Sequence, residues 1–158
     1  MKKWILSMML LAIVVSANAQ FEAGTKYFGL STTGVGVSYS TNEKFRLGMN
    51  ASAGIFLADQ VLVKADVGYN HTTAIDDFST GLGLRYYFSE NGVFIGAGGE
   101  FDHFTPNRND MMIPVEVGYA FYLNHYVTFE PSVYYKMSLD DFSNKSMVGL
   151  KIGFGFYF

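Results

Sequence analysis

The last thirteen residues, Ser146–Phe158, alternate almost without fault. Val148, Leu150, Ile152, Phe154, Phe156 and Phe158 occupy one side of a period-2 register; Met147, Gly149, Lys151, Gly153, Gly155 and Tyr157 occupy the other. Successive side chains of an extended chain point to opposite faces, so this pattern dictates a strand with one apolar face and one glycine-rich face. A helix would mix the two sets in every turn. The apolar stripe continues to the aromatic residue on which the sequence stops, with no polar tail or turn behind it. The rest of the chain must supply hydrogen-bonding neighbours for this strand and a medium for its apolar face.

Seven further segments supply neighbours. Alternation and turn chemistry predict strands over Gly24–Ser40, Phe45–Phe56, Val61–Asn70, Phe78–Phe88, Val93–Asp102, Met112–Leu123 and Tyr126–Met137, with Ser146–Phe158 as the eighth. The connections after the second, fourth and sixth are tight: Leu57–Gln60, Ser89–Gly92 and Asn124-His125. Those at His71–Asp77, His103–Met111 and Ser138–Lys145 are longer and polar, and Thr41–Lys44 joins the first two strands. Tight turns on one rim and longer loops on the other describe an all-β, eight-stranded antiparallel up-and-down barrel. An even strand number puts both ends of the sheet on the tight-turn rim.

The two faces differ in kind. Val61, Val63, Ala65, Val67 and Tyr69 oppose Leu62, Lys64, Asp66, Gly68 and Asn70; Leu82, Leu84 and Tyr86 oppose Gly81, Gly83, Arg85 and Tyr87. Val115, Val117 and Tyr119 oppose Glu116, Gly118 and Ala120, while Phe129, Val133 and Tyr135 oppose Glu130, Ser132, Tyr134 and Lys136. A soluble ligand-binding barrel would turn its apolar face inward. Glycine-rich faces make a poor soluble exterior, whereas a narrow eight-stranded lumen needs small residues where long side chains cross it. The apolar face is therefore expected outside, against lipid, and the polar face inside. Strand one breaks register between Leu30 and Val35, which predicts a bulge near Thr32–Gly34. Pro131 forfeits a ladder bond and predicts a second local irregularity.

The amino terminus fits a secreted route. Lys2 and Lys3 precede an apolar run, Ile5–Val15, and the small-x-small triplet Ala17-Asn18-Ala19. This predicts a signal peptide over residues 1–19 and a barrel domain over residues 20–158. Removing Lys2 and Lys3 leaves 9 basic against 14 acidic side chains, a formal charge of −5 that disfavours nucleic acid as a partner. Cysteine is absent, which excludes disulfides, thiolate catalysis and a lipidated cysteine. No segment after the leader approaches the ~18 continuous apolar residues of a spanning helix.

These features together resemble the small eight-stranded outer-membrane barrels of OmpA/OmpX type. The aromatic closing strand with Phe154, Phe156 and Phe158 resembles their signal for the barrel-assembly machinery. Ser52-Ala-Gly-Ile-Phe-Leu-Ala-Asp-Gln-Val-Leu-Val63 resembles their recurrent first hairpin, and Phe129-Glu-Pro-Ser-Val-Tyr134 another of their strand patterns. The resemblance covers essentially residues 20–158 and implies a monomer in the Gram-negative outer membrane. It would contact lipopolysaccharide and outer-membrane lipid, with no cofactor and an external ligand reached only through the loops. With nothing after Phe158, a carboxy-terminal cell-wall tether is not expected.

Five cations and five carboxylates fall on the inward face: Arg46, Lys64, Arg85, Lys136 and Lys151 against Asp66, Glu100, Asp102, Glu116 and Glu130. Unpaired charge in a narrow interior is costly, so these residues are expected to form a structural ion-pair plug. The alternative is a small pore gated by exchange of partners. Some barrels of this kind modify lipid A with a histidine, a serine and an acid. His71, Asp76, Asp77 and Ser79, or Asp102, His103 and Thr105, are the sets that such chemistry would require. Neither set reproduces a motif of those enzymes, so a non-enzymatic envelope or surface-interaction role is expected, with a minor pore or lipid-A-active barrel as the alternative. His125, in a tight turn, reads as structural. The paired loop aspartates lack the fixed ligand set of a metal site.

Overall fold

In the computed structural model the described residues are 21–35, 47–71, 76–88, 92–104, 108–139 and 146–158. They form β1 (Lys26–Val35), β2 (Leu47–Ala58), β3 (Val61–His71), β4 (Asp76–Tyr87), β5 (Val93–Phe104), β6 (Arg108–Tyr119), β7 (Phe121–Tyr122), β8 (Val127–Ser138) and β9 (Met147–Tyr157). Every pairing is antiparallel, each strand lies beside its sequence neighbour, and β1 closes the sheet against β9. Strands β6 and β7 are two parts of one stave, both paired with β8, so the barrel has eight staves. At the seam Lys26 and Phe158 exchange backbone hydrogen bonds of 2.8 and 3.0 Å.

The expected irregularities lie where backbone chemistry demands them. The β1–β9 register shifts between Thr33 and Val35, which moves the chain from the Leu30 register to the Val35 register. Pro131 stays in step with Ile152 of β9, but the stave opposite is interrupted at Ala120, next to where proline has no N–H to offer. On the side away from β8, Ala120 N donates to the Gly92 carbonyl at 2.8 Å.

Several boundaries differ from expectation. Strand β2 runs past Phe56 to Ala58, and its register with β3 shifts between Phe56 and Ala58, leaving only Asp59 and Gln60 as the turn. Asp76, Asp77, His103 and residues 108–111, all expected in loops, belong to strands. His71 pairs with Asp76, Asn70 with Asp77 and His103 with Asn109. Polar composition suggested loops there, but ladder hydrogen bonds are made by the backbone and continue past the apolar band. The Asn124 turn is as expected: its side-chain oxygen accepts from Tyr126 N and Val127 N at 2.8 and 2.9 Å. Gly92 ends the β4–β5 connection at φ +69°, a conformation that favours glycine. Residues 36–46, including Arg46, lie outside the described residues.

The polarity of the barrel is inverted relative to a soluble protein. Leu82 is 69 % exposed, and Leu30, Met49, Leu84, Val117, Val133, Leu150 and Phe154 also face outward. Lys64, Arg85, Asp102, Glu116 and Glu130 are buried inside. Strands of 10–12 residues are long enough, when tilted, for an apolar band about 25 Å tall.

Candidate functional site

Six of the inward charges form one network built around Arg85, which is only 3 % exposed. Its Nε and Nη2 donate to Glu116 Oε1 at 2.9 and 2.8 Å. Its Nη1 donates to Glu130 Oε2 at 2.7 Å and to the Tyr87 hydroxyl at 2.9 Å. The guanidinium carbon lies 4.1 Å from the Phe94 ring centroid, a cation–π contact in a desolvated setting. Glu116 also receives Lys151 at 2.5 Å and stands 3.6 Å from Lys64. Lys64 in turn holds Asp66 at 2.8 Å, and Ser52 donates to the same carboxylate.

Glu130 is saturated. Arg85 Nη1 and the Tyr27 hydroxyl serve Oε2, at 2.7 and 2.9 Å; Tyr157 and Thr128 hydroxyls serve Oε1, both at 2.7 Å. A buried carboxylate with four donors satisfies the requirement that charge in a dry interior be both paired and hydrogen-bonded. Towards the long-loop rim Lys136 donates to Glu100 at 2.6 Å. Beyond it Asp102 and Asp110 face each other across the β5–β6 ladder, with Ser138 donating to Asp110 at 3.3 Å.

Nine of the ten expected network residues thus lie inward; Arg46 lies outside the described residues. Asp110 joins them from a segment expected to be a loop, so the described interior holds four cations and six carboxylates. The alternation places Tyr87 and Tyr157 on the inward face but gives no hint that their hydroxyls serve the ion pairs. Below Arg85 a layer of Phe21, Tyr27, Phe56, Leu62, Tyr87, Phe94 and Tyr157 closes the tight-turn end. Phe21, outside every strand, carries no periodic signal at all. Among the described residues the charged interior includes a cavity of about 60 Å³ beside Lys64, Glu100 and Lys136 and one of about 10 Å³ beside Tyr27 and Arg85, room for a few water molecules.

In one of the two sets considered for lipid chemistry the sheet divides the acid from the histidine. Asp102 is buried inside, whereas the exposed His103 bonds through Nδ1 to Asn109 Oδ1 at 2.6 Å. Ser79 is buried inside beside Asp102 in the register. The side chains of His71, Asp76 and Asp77, and Thr105 as a whole, lie outside the described residues. No group of three metal-ligating side chains occurs among the described residues.

No protein-family model and no curated protein matches the sequence. Solved structures do match the fold. The N-terminal β-barrel domain of Pseudomonas aeruginosa OprF superposes with a TM-score of 0.69 at 17 % identity, covering 86 % of this chain and 98 % of that one. Neisserial surface protein A gives 0.66 at 14 % identity over 85 % and 99 % of the two chains. OprG of Pseudomonas aeruginosa gives 0.61 at 15 % over 89 % and 99 %. The chain has the fold of the small eight-stranded outer-membrane barrels.

Proposed function

We propose that this chain is an integral outer-membrane barrel without enzymatic activity, in which residues 20–158 follow a cleaved leader and the ion-pair network plugs the lumen. Its role is structural support of the envelope or contact with external partners through the long-loop rim. The observation that carries this reading is the inverted polarity: Leu82, Leu84, Val117 and Leu150 face outward around a buried Arg85–Glu116–Glu130 core. Only a lipid environment makes both faces favourable at once. The separation of Asp102 from His103 by the sheet supports the non-enzymatic reading. Phe154 and Phe158 are exposed on the lipid side and Phe156 packs beside Phe28 at 6.3 Å, a placement suited to recognition by the assembly machinery during insertion.

The full chain is expected in the outer-membrane fraction, migrating differently in detergent gels when heated and unheated, since a closed barrel resists unfolding. Equal mobility in both states would sink the reading. Changing Phe156 and Phe158 together to Ser should abolish insertion, and normal surface levels would remove the assembly role. Reconstituted protein should pass only small, sporadic currents; large steady conductance would favour a pore.

A further inference from the structure

Residues Phe21–Thr25 form a strap that leaves the barrel wall and returns one side chain to its interior. We propose that the strap is a releasable stopper, and that the socket Phe21 occupies is a binding site for a small aromatic molecule carrying one hydroxyl or N–H, such as a phenol or an indole.

The socket belongs wholly to the barrel. Phe21 stacks on Tyr87 with ring centroids 4.1 Å apart, meets Tyr157 nearly edge-on at 5.9 Å, and lies 5.8 Å from both Phe56 and Tyr122. It is the one ring in this layer that does not come from a strand. Beside it the Tyr122 hydroxyl is buried without a hydrogen-bond partner among the described residues, and phenylalanine has nothing to offer it. An occupant with the same ring and one polar hydrogen-bonding group would fill the space and satisfy that hydroxyl.

The outer part of the strap, Phe21–Ala23, is fastened only to the Asp59-Gln60 turn. Apart from Phe21 its side chains are exposed or half-buried, and its bonds to the barrel run to one hairpin: Gln60 N to the Phe21 carbonyl at 2.6 Å and Ala23 N to Asp59 Oδ1 at 3.0 Å at the turn, and Gly24 N to the Phe56 carbonyl at 2.8 Å and Phe56 N to the Thr25 carbonyl at 2.9 Å at the end of β2. Gln60 is held at φ +71°, a conformation that side chains avoid, and the strap is one of the contacts that hold it there. Gly24 has φ +92° with open space where a side chain would stand, so the strap bends away from β1 at a glycine, and Phe21–Ala23 beyond it can swing out while Gly24 and Thr25 stay bonded to Phe56. Release therefore withdraws one buried ring and leaves Gln60 held by the turn and by Tyr86 and Tyr87. It also exposes the floor on which Arg85 sits.

The chain has no cysteine, so Ser132→Cys, beside Phe94 at the floor, gives a single reporter thiol. The full chain is folded in detergent, with the heat-dependent mobility shift confirming the barrel independently of the strap. A small methanethiosulfonate reagent should label the reporter thiol slowly when Ser132→Cys is the only change, and about tenfold faster when Phe21→Ala is added. Phenol or indole should restore the slow rate, toluene less well, and Tyr122→Phe should erase that difference. Should Phe21→Ala fail to fold, Phe21→Leu keeps apolar filling and tests the same rates. Equal labelling with and without the Phe21 substitution, in folded protein, would overturn the stopper. Fast labelling that neither phenol nor indole slows would overturn the site. Loss of the mobility shift in the unsubstituted chain would instead count against the barrel reading on which the stopper rests.

Discussion

The half of the lumen next to the tight turns and the half next to the long loops share one alternation but neutralise charge differently. In the lower half Arg85 and Glu130 are at most 4 % exposed, rest on aromatic rings, and have each polar partner supplied by the protein. In the upper half the Glu100 and Lys136 side chains are 12 % and 15 % exposed and border the larger cavity, where glycines 81, 83, 96 and 98 leave room for water. A dry site tolerates charge only when its partner set is complete; a wetter site lets water stand in for missing partners.

Arg85→Ala tests the dry half with the largest expected effect. It leaves Glu130 without its cation and removes one of Glu116's, and breaking a buried pair costs about 3–5 kcal/mol. Unfolding by urea in phospholipid vesicles would measure this. Lys136→Ala should cost less, about 1.5–3 kcal/mol, as for loss of a charged hydrogen bond. Equal losses for the two variants would break the contrast between the halves.

Two glycines sharpen the contrast further. A Cβ on Gly118 would meet Ser132 Cβ at 2.6 Å and the Pro131 carbonyl oxygen at 2.7 Å, so Gly118→Ala should destabilise by about 1–3 kcal/mol. A Cβ on Gly83 finds its nearest neighbour, the Ala97 carbonyl oxygen, at 3.4 Å, an ordinary contact. Gly83→Ala should be neutral or stabilise by up to about 1 kcal/mol through reduced unfolded-state entropy. The same unfolding midpoints, compared side by side, decide this. The smallest effect is ionic: raising salt from about 0.1 to 1 M should shrink the Lys136→Ala penalty more than the Arg85→Ala penalty, because buried pairs are screened less.

The period-2 pattern is local and was legible residue by residue. The inward placement of Lys64, Arg85, Glu116, Glu130 and Lys151 followed from their parity within single strands, and the bulge beside Gly34 from a change of parity. Strand ends were less legible: Asp76, Asp77, His103 and Asp110 look like loop residues, yet backbone pairing carries strands through them without regard to side-chain polarity.

Parity states which face a side chain takes, not which inward residues share a level. That depends on how eight staves are staggered around a closed sheet, and stagger is a property of the whole ring. Tyr27, Thr128 and Tyr157 therefore became donors to Glu130, and Tyr87 an acceptor for Arg85, only in the assembled barrel. The seating of Phe21 was decided there too, since a residue outside every strand has no period to reveal it and its socket exists only once four distant segments have closed around it.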